Sequence, residues 1–402
     1  MGPCTAQKLT DKVYWVGAID WSVRDFHGYS TGRGSTYNAF LVMDEKITLI
    51  DTVKKPFMEE MLARISSVVD PSRIDFIVSN HSEMDHTGCL PQVMEMVKPQ
   101  NVFASPMGEK ALRAHFHFQP GVVSTVKTGE SISLGQSNLT FIETRMLHWP
   151  DSMVSYLDTE KVMFSQDGFG MHLASTERYD DQIDPYILTR EAEKYFANIL
   201  LPFSPMVTGL MKKLDELDLD IALLCPDHGP VWRSDIGGIL NRWREWALQK
   251  CTRKAVVIYD TMWGSTARMA DVVCDGLVQE GISVTVMPLG SSHRSDVATA
   301  VLDSGALIAG SPTINGQMFP RMADVLTYLK GLKPKNLIGG VFGSYGWSGE
   351  AVKHIQAFLD DMGIPVIGDP LNVNYVPDHD QLRTARDLGS KIGRELVERC
   401  SE

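Results

Sequence analysis

The second part of the sequence alternates short apolar runs with helical segments, and this regularity limits the possible folds more than any other feature. The apolar runs of β type lie at residues 255–259, 284–287, 306–309, 337–342 and 366–367. Amphipathic helical segments fit near residues 266–280, 321–329, 349–362 and 380–398. Fully apolar strands joined by helices are typical of a parallel sheet that is covered on both faces. The pattern therefore predicts a doubly wound sheet of five parallel strands.

The part before residue 251 is less regular. Short β-rich runs occur at residues 13–17, 37–42, 47–50 and 74–78, and more follow up to residue 224, with a long helical block over residues 188–217. Periodicity alone indicates only an α+β or layered α/β arrangement here. Because 402 residues exceed one ordinary core, the change of pattern predicts two domains, residues 1–250 and 251–402.

Charge and cysteine content exclude several classes of protein. The net charge is −12, with both signs interleaved along the chain, which argues against a nucleic-acid partner. The six cysteines are scattered without a CxxC pair, so free thiols in a reducing compartment are expected and a zinc ribbon or rubredoxin-type site is excluded. Neither a signal peptide nor a membrane-spanning run is recognised, and a cytoplasmic location is expected.

Four possible metal ligands lie within six positions of one another, directly after the apolar run at residues 74–78. They are His81, Glu83, Asp85 and His86. A loop at the end of a strand can turn such side chains towards one point. A solvated polar loop is the alternative explanation for this segment taken alone.

Three further ligand types each follow a strand-like run: His148, Asp167 and His228. A single histidine is more often structural than metal-binding, but four strand ends that each deliver a ligand favour a metal site. This order of ligands resembles the metallo-β-lactamase fold, an αββα sandwich whose usual loop motif is His-x-His-x-Asp-His. Here Glu83 stands in place of the second histidine. The resulting mixture of carboxylates and imidazoles suits a non-haem di-iron centre better than a zinc hydrolase site.

Three loops in the second part are suited to a flavin. The first follows the run at residues 255–259 and precedes a helix, whose N-terminal amide groups favour a phosphate. The other two follow later strands, where ligands of open α/β sheets bind. Neither a P-loop nor a GxGxxG motif is present, so ATP and dinucleotides are poor candidates. The loops comprise Thr261, Met262, Trp263, Gly264, Ser265 and Thr266; Ser311, Pro312, Thr313, Ile314, Asn315 and Gly316; and Ser344, Tyr345, Gly346, Trp347, Ser348 and Gly349.

Taken together, these motifs resemble the flavodiiron proteins, also called A-type flavoproteins, over essentially the whole chain. The resemblance implies FMN in a flavodoxin-like domain, two irons in the lactamase-like domain, and reduction of dioxygen to water or nitric oxide to nitrous oxide. It further implies a homodimer or a dimer of dimers. The implied ligands are His81, Glu83 and His148 for one iron and Asp85, His86 and His228 for the other, with Asp167 between them. Whether His86 binds iron stays open, because the equivalent histidine turns away in some relatives.

The resemblance leaves the donor and the preferred gas undecided. No rubredoxin or flavin-reductase module is recognised at the end of the chain, so rubredoxin or a reduced deazaflavin is expected as a separate electron donor. No catalytic residue beyond the metal ligands is assigned, although Tyr29 and Trp149 are candidates for lining a gas pocket. Two alternatives remain: a zinc hydrolase fused to a flavodoxin-like electron carrier, and a metal-free electron carrier in which only the flavin works.

Overall fold

The computed structural model describes residues 4–401, which form two compact units. The first unit holds residues 4–195 together with Pro205–Arg244, and the second holds Phe196–Ser204 together with residues 245–401. A short segment of the predicted helical block thus belongs to the second unit. The boundary proposed between residues 250 and 251 stays a prediction.

The first unit is built on two large sheets. The seven-stranded sheet has the spatial order Gln7–Lys8, Val13–Trp15, Phe40–Val42, Thr48–Ile50, Phe76–Ser79, Asn101–Ala104 and Ser124–Thr125. Its first four strands pair antiparallel and the later pairs are parallel. The five-stranded sheet has the order Ser131–Ser133, Asn138–Glu143, Met153–Leu157, Val162–Gln166 and Leu223–Pro226, and only its last pair is parallel.

Alternation along the strands produces the layers of this unit, because successive side chains point to opposite faces of a sheet. Phe40 and Val42 face the five-stranded sheet, where the Phe40 and Phe164 rings lie 5.3 Å apart. Leu41, between them in sequence, faces the other way and joins a core with the helix residue Val93. Two buried cores on opposite faces of one sheet make a layered sandwich.

Two small hairpins and several helices complete the first half of the chain. The hairpins pair Ala18–Asp20 with Ser35–Tyr37 and Asp25–Phe26 with Tyr29–Ser30. The α-helices are Met58–Ser66, Met84–Thr87, Leu90–Val97, Pro106–Phe116, Pro185–Tyr195, Ser204–Leu217 and Ile236–Leu248. Short 3-10 turns lie at Lys55–Phe57, Pro71–Arg73, Asp180–Gln182 and Leu201–Phe203.

The predicted helical block over residues 188–217 is interrupted in the structure. The first helix ends at Tyr195, and the π-helical segment Phe196–Leu200 and a 3-10 turn precede the next α-helix. Pro202 and Pro205 explain the interruption, since proline has no amide hydrogen to continue the helical hydrogen bonds.

The second unit contains a sheet with the spatial order Ser283–Pro288, Lys254–Tyr259, Ala306–Ile314, Ile338–Tyr345 and Leu371–Asn374. All four pairings are parallel, and this order is the doubly wound order of flavodoxin-like sheets. The short strand Gln317–Met318 folds back antiparallel on the third of these strands. The helices are Ser265–Gln279, Arg294–Leu302, Pro320–Leu332, Glu350–Asp361 and His379–Arg399, of which Arg294–Leu302 was not predicted.

The fifth strand was predicted at the wrong position. Val366 makes only an isolated bridge with Gly339, and the chain then turns at Gly368, whose φ of +77° favours glycine. The strand that completes the sheet is Leu371–Asn374, which pairs with residues 342–345. The edge strand itself has only two apolar residues, so its sequence does not distinguish it as a strand. The apolar pair at residues 366–367 was a stronger but misleading signal.

The expectation of six free thiols is wrong for one pair. The structure joins Cys251 to Cys400, whose Cα atoms lie 5.4 Å apart, while Cys4, Cys89, Cys225 and Cys274 are free. The pair is separated by 149 positions in the sequence. The sequence does not indicate this pairing, because the two cysteines meet only when helix His379–Arg399 ends beside the start of strand Lys254–Tyr259.

Among the described residues 4–401, no helix combines the length and apolarity needed to cross a membrane.

Candidate metal centre and flavin cavity

The first four predicted ligands lie in a loop and a single helical turn after the strand Phe76–Ser79. His81 and Glu83 are in the loop, and Asp85 and His86 are in Met84–Thr87. Asp51 holds the start of this loop, since its carboxylate accepts hydrogen bonds from the backbone and side-chain amides of Asn80 at 2.7 and 2.9 Å. The loop therefore leaves the sheet in one defined direction.

The other three ligands come from the five-stranded sheet. His148 lies in the loop between Asn138–Glu143 and Met153–Leu157, Asp167 follows Val162–Gln166 directly, and His228 follows Leu223–Pro226. The structure brings all seven predicted side chains together in one buried cluster.

Four of the seven form a first group around Glu83. The Nε2 atoms of His81 and His148 lie 3.3 and 3.1 Å from Glu83 Oε2. The same two atoms lie 3.4 and 3.0 Å from Asp167 Oδ2. These donor atoms are close enough to share one metal ion.

The remaining three form a second group around Asp85. His86 Nε2 lies 3.4 Å from Asp85 Oδ1, and His228 Nε2 lies 3.3 Å from Asp85 Oδ2. Both imidazoles also approach Asp167 Oδ1, at 3.2 and 3.4 Å. The two oxygens of Asp167 thus face different groups, an arrangement that would suit a carboxylate shared between two metal ions. His86, whose orientation the sequence left open, points into its group.

Several atoms of the cluster lack any hydrogen-bond partner among the described residues. The buried atoms without such a partner include both carboxylate oxygens of Asp85, Oδ1 of Asp167 and Nε2 of His86. Buried polar atoms are almost always paired, and unpaired carboxylate oxygens are costly. Their convergence on a common centre fits residues that bind cations.

The pKa values show the same preference for positive charge. Burial alone would raise the pKa of Asp167, but the charge of His86, whose Nε2 lies 3.2 Å from Oδ1, and a hydrogen bond from His148 hold it well below its usual range. Burial alone would lower the pKa of His81, but Asp151 and Glu83 raise it well above the ordinary value. The carboxylates therefore create a field that stabilises cations at the centre of the cluster.

Contacts behind the ligands were not predicted from the sequence. Asp151 Oδ2 lies 3.2 Å from Nδ1 of His81 and also accepts the Ser82 amide at 2.6 Å. The carbonyl of Thr36 lies 2.6 Å from Nδ1 of His228. The position of Asp151, three residues after His148, is the one sequence signal that could have identified it.

The two residues predicted to line a gas pocket both lie near the cluster. The Trp149 ring is 5.3 Å from the His81 ring, and the buried Tyr29 ring is 5.2 Å from that of His172. His172 was missed. Its ring packs 4.6 Å from His228, and burial, followed by the charge of His228, lowers its pKa well below the usual range, so it stays neutral.

The predicted flavin loops surround a cavity of about 500 Å³ at the carboxyl ends of the strands of the second unit. Its lining includes Met262, Trp263, Ser265, Pro312, Thr313, Asn315, Gly316, Ser344, Tyr345, Gly346, Trp347 and Ser348. The other six predicted residues, Thr261, Gly264, Thr266, Ser311, Ile314 and Gly349, are not part of the lining.

Some of these six residues support the loops instead. Thr266 Oγ1 lies 2.9 Å from Ser344 Oγ, which ties the first loop to the third, and Ser311 Oγ accepts the Phe319 amide. Tyr375 and Val376 also line the cavity and were missed. They directly follow Leu371–Asn374, so the misplaced fifth strand concealed them.

Comparisons with known proteins agree with both units. Residues 36–229 match the family model described as ODP family beta lactamase, and residues 257–389 match the flavodoxin model. The chain is 43% identical over 393 residues to a nitric oxide reductase of Moorella thermoacetica, covering 97% of this chain and 98% of that protein.

Solved structures extend the similarity to the fold. The rubredoxin oxygen:oxidoreductase of the anaerobe Desulfovibrio gigas superposes with a TM-score of 0.97 at 43% identity, covering 99% of this chain and 100% of that one. The flavodiiron protein of Giardia intestinalis gives a TM-score of 0.93 at 33% identity, covering 99% and 98%. The predicted fold class, an αββα sandwich followed by a flavodoxin-like sheet, is confirmed. The chain belongs to the flavodiiron protein family.

Proposed function

We propose that this protein is an oxidoreductase that reduces dioxygen to water, nitric oxide to nitrous oxide, or both. The observation that carries the proposal is the position of Asp167, whose two oxygens face two separate groups of buried ligands. The names of the relatives from Moorella thermoacetica and Desulfovibrio gigas support both gases as substrates.

The ligand set fits a pair of irons. His81, Glu83 and His148 would hold one, and Asp85, His86 and His228 the other, with Asp167 shared between them. Three carboxylates among four imidazoles favour iron, because zinc hydrolase sites rely on fewer oxygen ligands and keep an open position for water. When bound, two ferrous ions and a reduced flavin supply the four electrons that take one dioxygen to water.

The cavity of the second unit fits FMN. Hydroxyl groups and the N-terminal amides of helix Ser265–Gln279 are suited to a terminal phosphate. The side chains of Tyr345, Trp347 and Tyr375 supply flat apolar surface for an isoalloxazine ring. These residues would bind the flavin and orient its ring.

An aromatic side chain also lies beside the second metal group. The ring of Phe26 lies 4.9 Å from His172 and 6.4 Å from His228. We propose rubredoxin or a reduced deazaflavin as the electron donor and a homodimer or dimer of dimers as the active assembly.

Metal analysis and rapid kinetics test the function. Protein purified after growth with ample iron is expected to contain about two irons and one FMN per chain. After anaerobic reduction, stopped-flow mixing with each gas is expected to reoxidise the flavin. The variant Asp167→Ala should keep its FMN, but neither gas should reoxidise the reduced flavin in it. Protein that contains zinc alone and does not react with either gas would indicate a hydrolase instead.

A further inference from the structure

The four histidines of the metal centre share one orientation. In each, Nε2 points to the carboxylates of its group. The opposite ring nitrogen, Nδ1, therefore points outwards and needs its own partner. In His81 that partner is the carboxylate of Asp151, and in His228 it is a backbone carbonyl.

His86 has a different neighbour behind it. Its Nδ1 lies 3.5 Å from Oδ2 of Asp227, and both side chains are fully buried. Neither His86 Nδ1 nor either oxygen of Asp227 has a hydrogen-bond partner among the described residues. A buried donor and a buried acceptor that lack other partners and face each other at this distance are complementary.

The backbone around both residues is held in place. The Asp227 amide donates to the Gln166 carbonyl at 2.8 Å, and its carbonyl accepts the Asn38 amide at 2.7 Å. The carbonyl of His86 accepts hydrogen bonds from the amide and hydroxyl of Thr52. Rotation of the His86 side chain is thus the main freedom left at this position.

We propose that Asp227 is a positioning residue that keeps His86 as a ligand of the second metal ion. The inference rests on the metal site of the proposed function. A neutral imidazole that binds a metal through Nε2 carries its single proton on Nδ1. Oδ2 of Asp227, 3.5 Å from Nδ1, is placed to accept that proton in a hydrogen bond and so to hold the ring with Nε2 towards the metal ion.

The assignment gives each metal group one histidine with a carboxylate behind it. Asp151 serves His81 in the first group, and Asp227 serves His86 in the second. A carboxylate partner fixes the tautomer and makes the imidazole a stronger electron donor. Loss of Asp227 should therefore weaken only the second group.

The experiment compares Asp227→Ala, Asp227→Asn and His86→Asn with the wild-type chain. Asn can still accept a hydrogen bond through its carbonyl but cannot carry a negative charge. Asp44→Asn serves as the matched control, because Asp44 is buried in the same unit and contacts Lys12 and Ser137 rather than any ligand. Folding of each variant is checked by circular dichroism and thermal unfolding.

Two readouts are independent of turnover. In the first, chelator competition with ferrous ion and, separately, with zinc is expected to show about 10- to 100-fold weaker binding of one of the two ions in Asp227→Ala, a smaller loss in Asp227→Asn, and no loss in the control. The second is proton NMR of the diferrous protein. There, the exchangeable Nδ1 proton signal that His86→Asn removes is expected to shift or disappear in Asp227→Ala.

The outcomes separate the inference from the function. Wild-type affinity for both ions and an unchanged Nδ1 signal in Asp227→Ala would overturn the role of Asp227. The role of Asp227 would also be overturned if Asp227→Ala and Asp44→Asn lost affinity for both metal ions to the same extent. The loss would then reflect general destabilisation of the unit. A wild-type protein that binds zinc but not iron refutes the proposed function, while the zinc affinities of the variants still test Asp227.

Discussion

Two histidines of the metal centre, His81 and His228, are oriented by a hydrogen-bonding contact behind the ring. For His81 this contact is Asp151, whose carboxylate also holds the amide of Ser82 and so anchors the loop that carries Glu83. Burial would raise the pKa of Asp151, but its hydrogen bonds with His81 and Ser82 lower it, so the carboxylate is charged. One carboxylate thus positions two neighbouring ligands.

We expect Asp151→Asn to weaken metal binding in the first group by about tenfold, because the amide lacks the charge that makes His81 a strong donor. Chelator competition measures the change. Iron content that equals that of the wild type at every chelator concentration would show that Asp151 has only a structural role.

A second prediction for a single residue concerns Asp44, whose side chain contacts Lys12 and Ser137 and none of the metal ligands. Its carboxylate lies 2.8 Å from Lys12 Nζ and 2.6 Å from Ser137 Oγ, with 1% of its side chain exposed. Burial alone would raise its pKa, but hydrogen bonds from Lys12, Ser137 and two backbone amides lower it well below the usual value.

Because the folded pKa of Asp44 is depressed, its contribution to stability is complete above the unfolded pKa of about 4 and is lost as the pH falls through the folded pKa. We expect Asp44→Asn to cost about 1–3 kcal/mol at pH 7. This difference from the wild type should shrink below about pH 4. Urea unfolding from pH 7 to pH 3 measures it, and a difference that stays constant over this range would contradict the assignment.

At the scale of elements, the helices Ser265–Gln279 and His379–Arg399 approach each other unusually closely. A Cβ atom on Gly276 would lie 2.1 Å from the carbonyl oxygen of Arg386, and one on Gly389 would lie 2.1 Å from that of Val273. The contact is reciprocal, backbone against backbone, and leaves no space for a methyl group. The sequence did not indicate this, since glycine inside a helix ordinarily weakens it.

We expect Gly276→Ala and Gly389→Ala each to destabilise the second unit by about 1–3 kcal/mol, despite the better helix propensity of alanine. Gly331→Ala is the control: Gly331 also lies in a helix, Pro320–Leu332, but has no neighbour within 4 Å of an added Cβ. This control should be neutral or slightly stabilising. Thermal unfolding compares the three variants, and equal effects at all three positions would contradict the close packing.

At the scale of the whole molecule, the second unit is closed by a link between distant parts of the chain. Cys251 precedes the first strand of its sheet, and Cys400 follows the last helix. A bond between residues 149 positions apart restricts the unfolded chain strongly.

We expect Cys400→Ser to lower the stability of the oxidised protein by about 2–4 kcal/mol, the usual contribution of a native disulfide. Cys274→Ser, which changes a thiol outside the pair, is the control. Urea unfolding with and without reductant measures the effect, and mass spectrometry after thiol alkylation identifies the pair. Alkylation of both Cys251 and Cys400 without prior reduction would show that the bond is absent.

Local patterns were sufficient to predict much of the fold. Four of the five strands of the parallel sheet in the second unit, and the strand before His81, have apolar runs that distinguish them from their surroundings. Strand ends indicate where ligands gather. Prediction failed for an element whose position depends on pairing with a neighbouring strand rather than on its own sequence. Leu371–Asn374 has only two apolar residues and is a strand because it pairs with residues 342–345.

By itself, the sequence determined the types of ligand and their order, because residue chemistry and strand periodicity are local properties. Only the tertiary structure decided what lies behind them. Asp151, Asp227 and Thr36 come from three separate parts of the chain and reach the histidines only after the sheets have formed. The orientation of His86 belongs to this second kind of property, since it depends on a through-space contact between residues 141 positions apart in the chain.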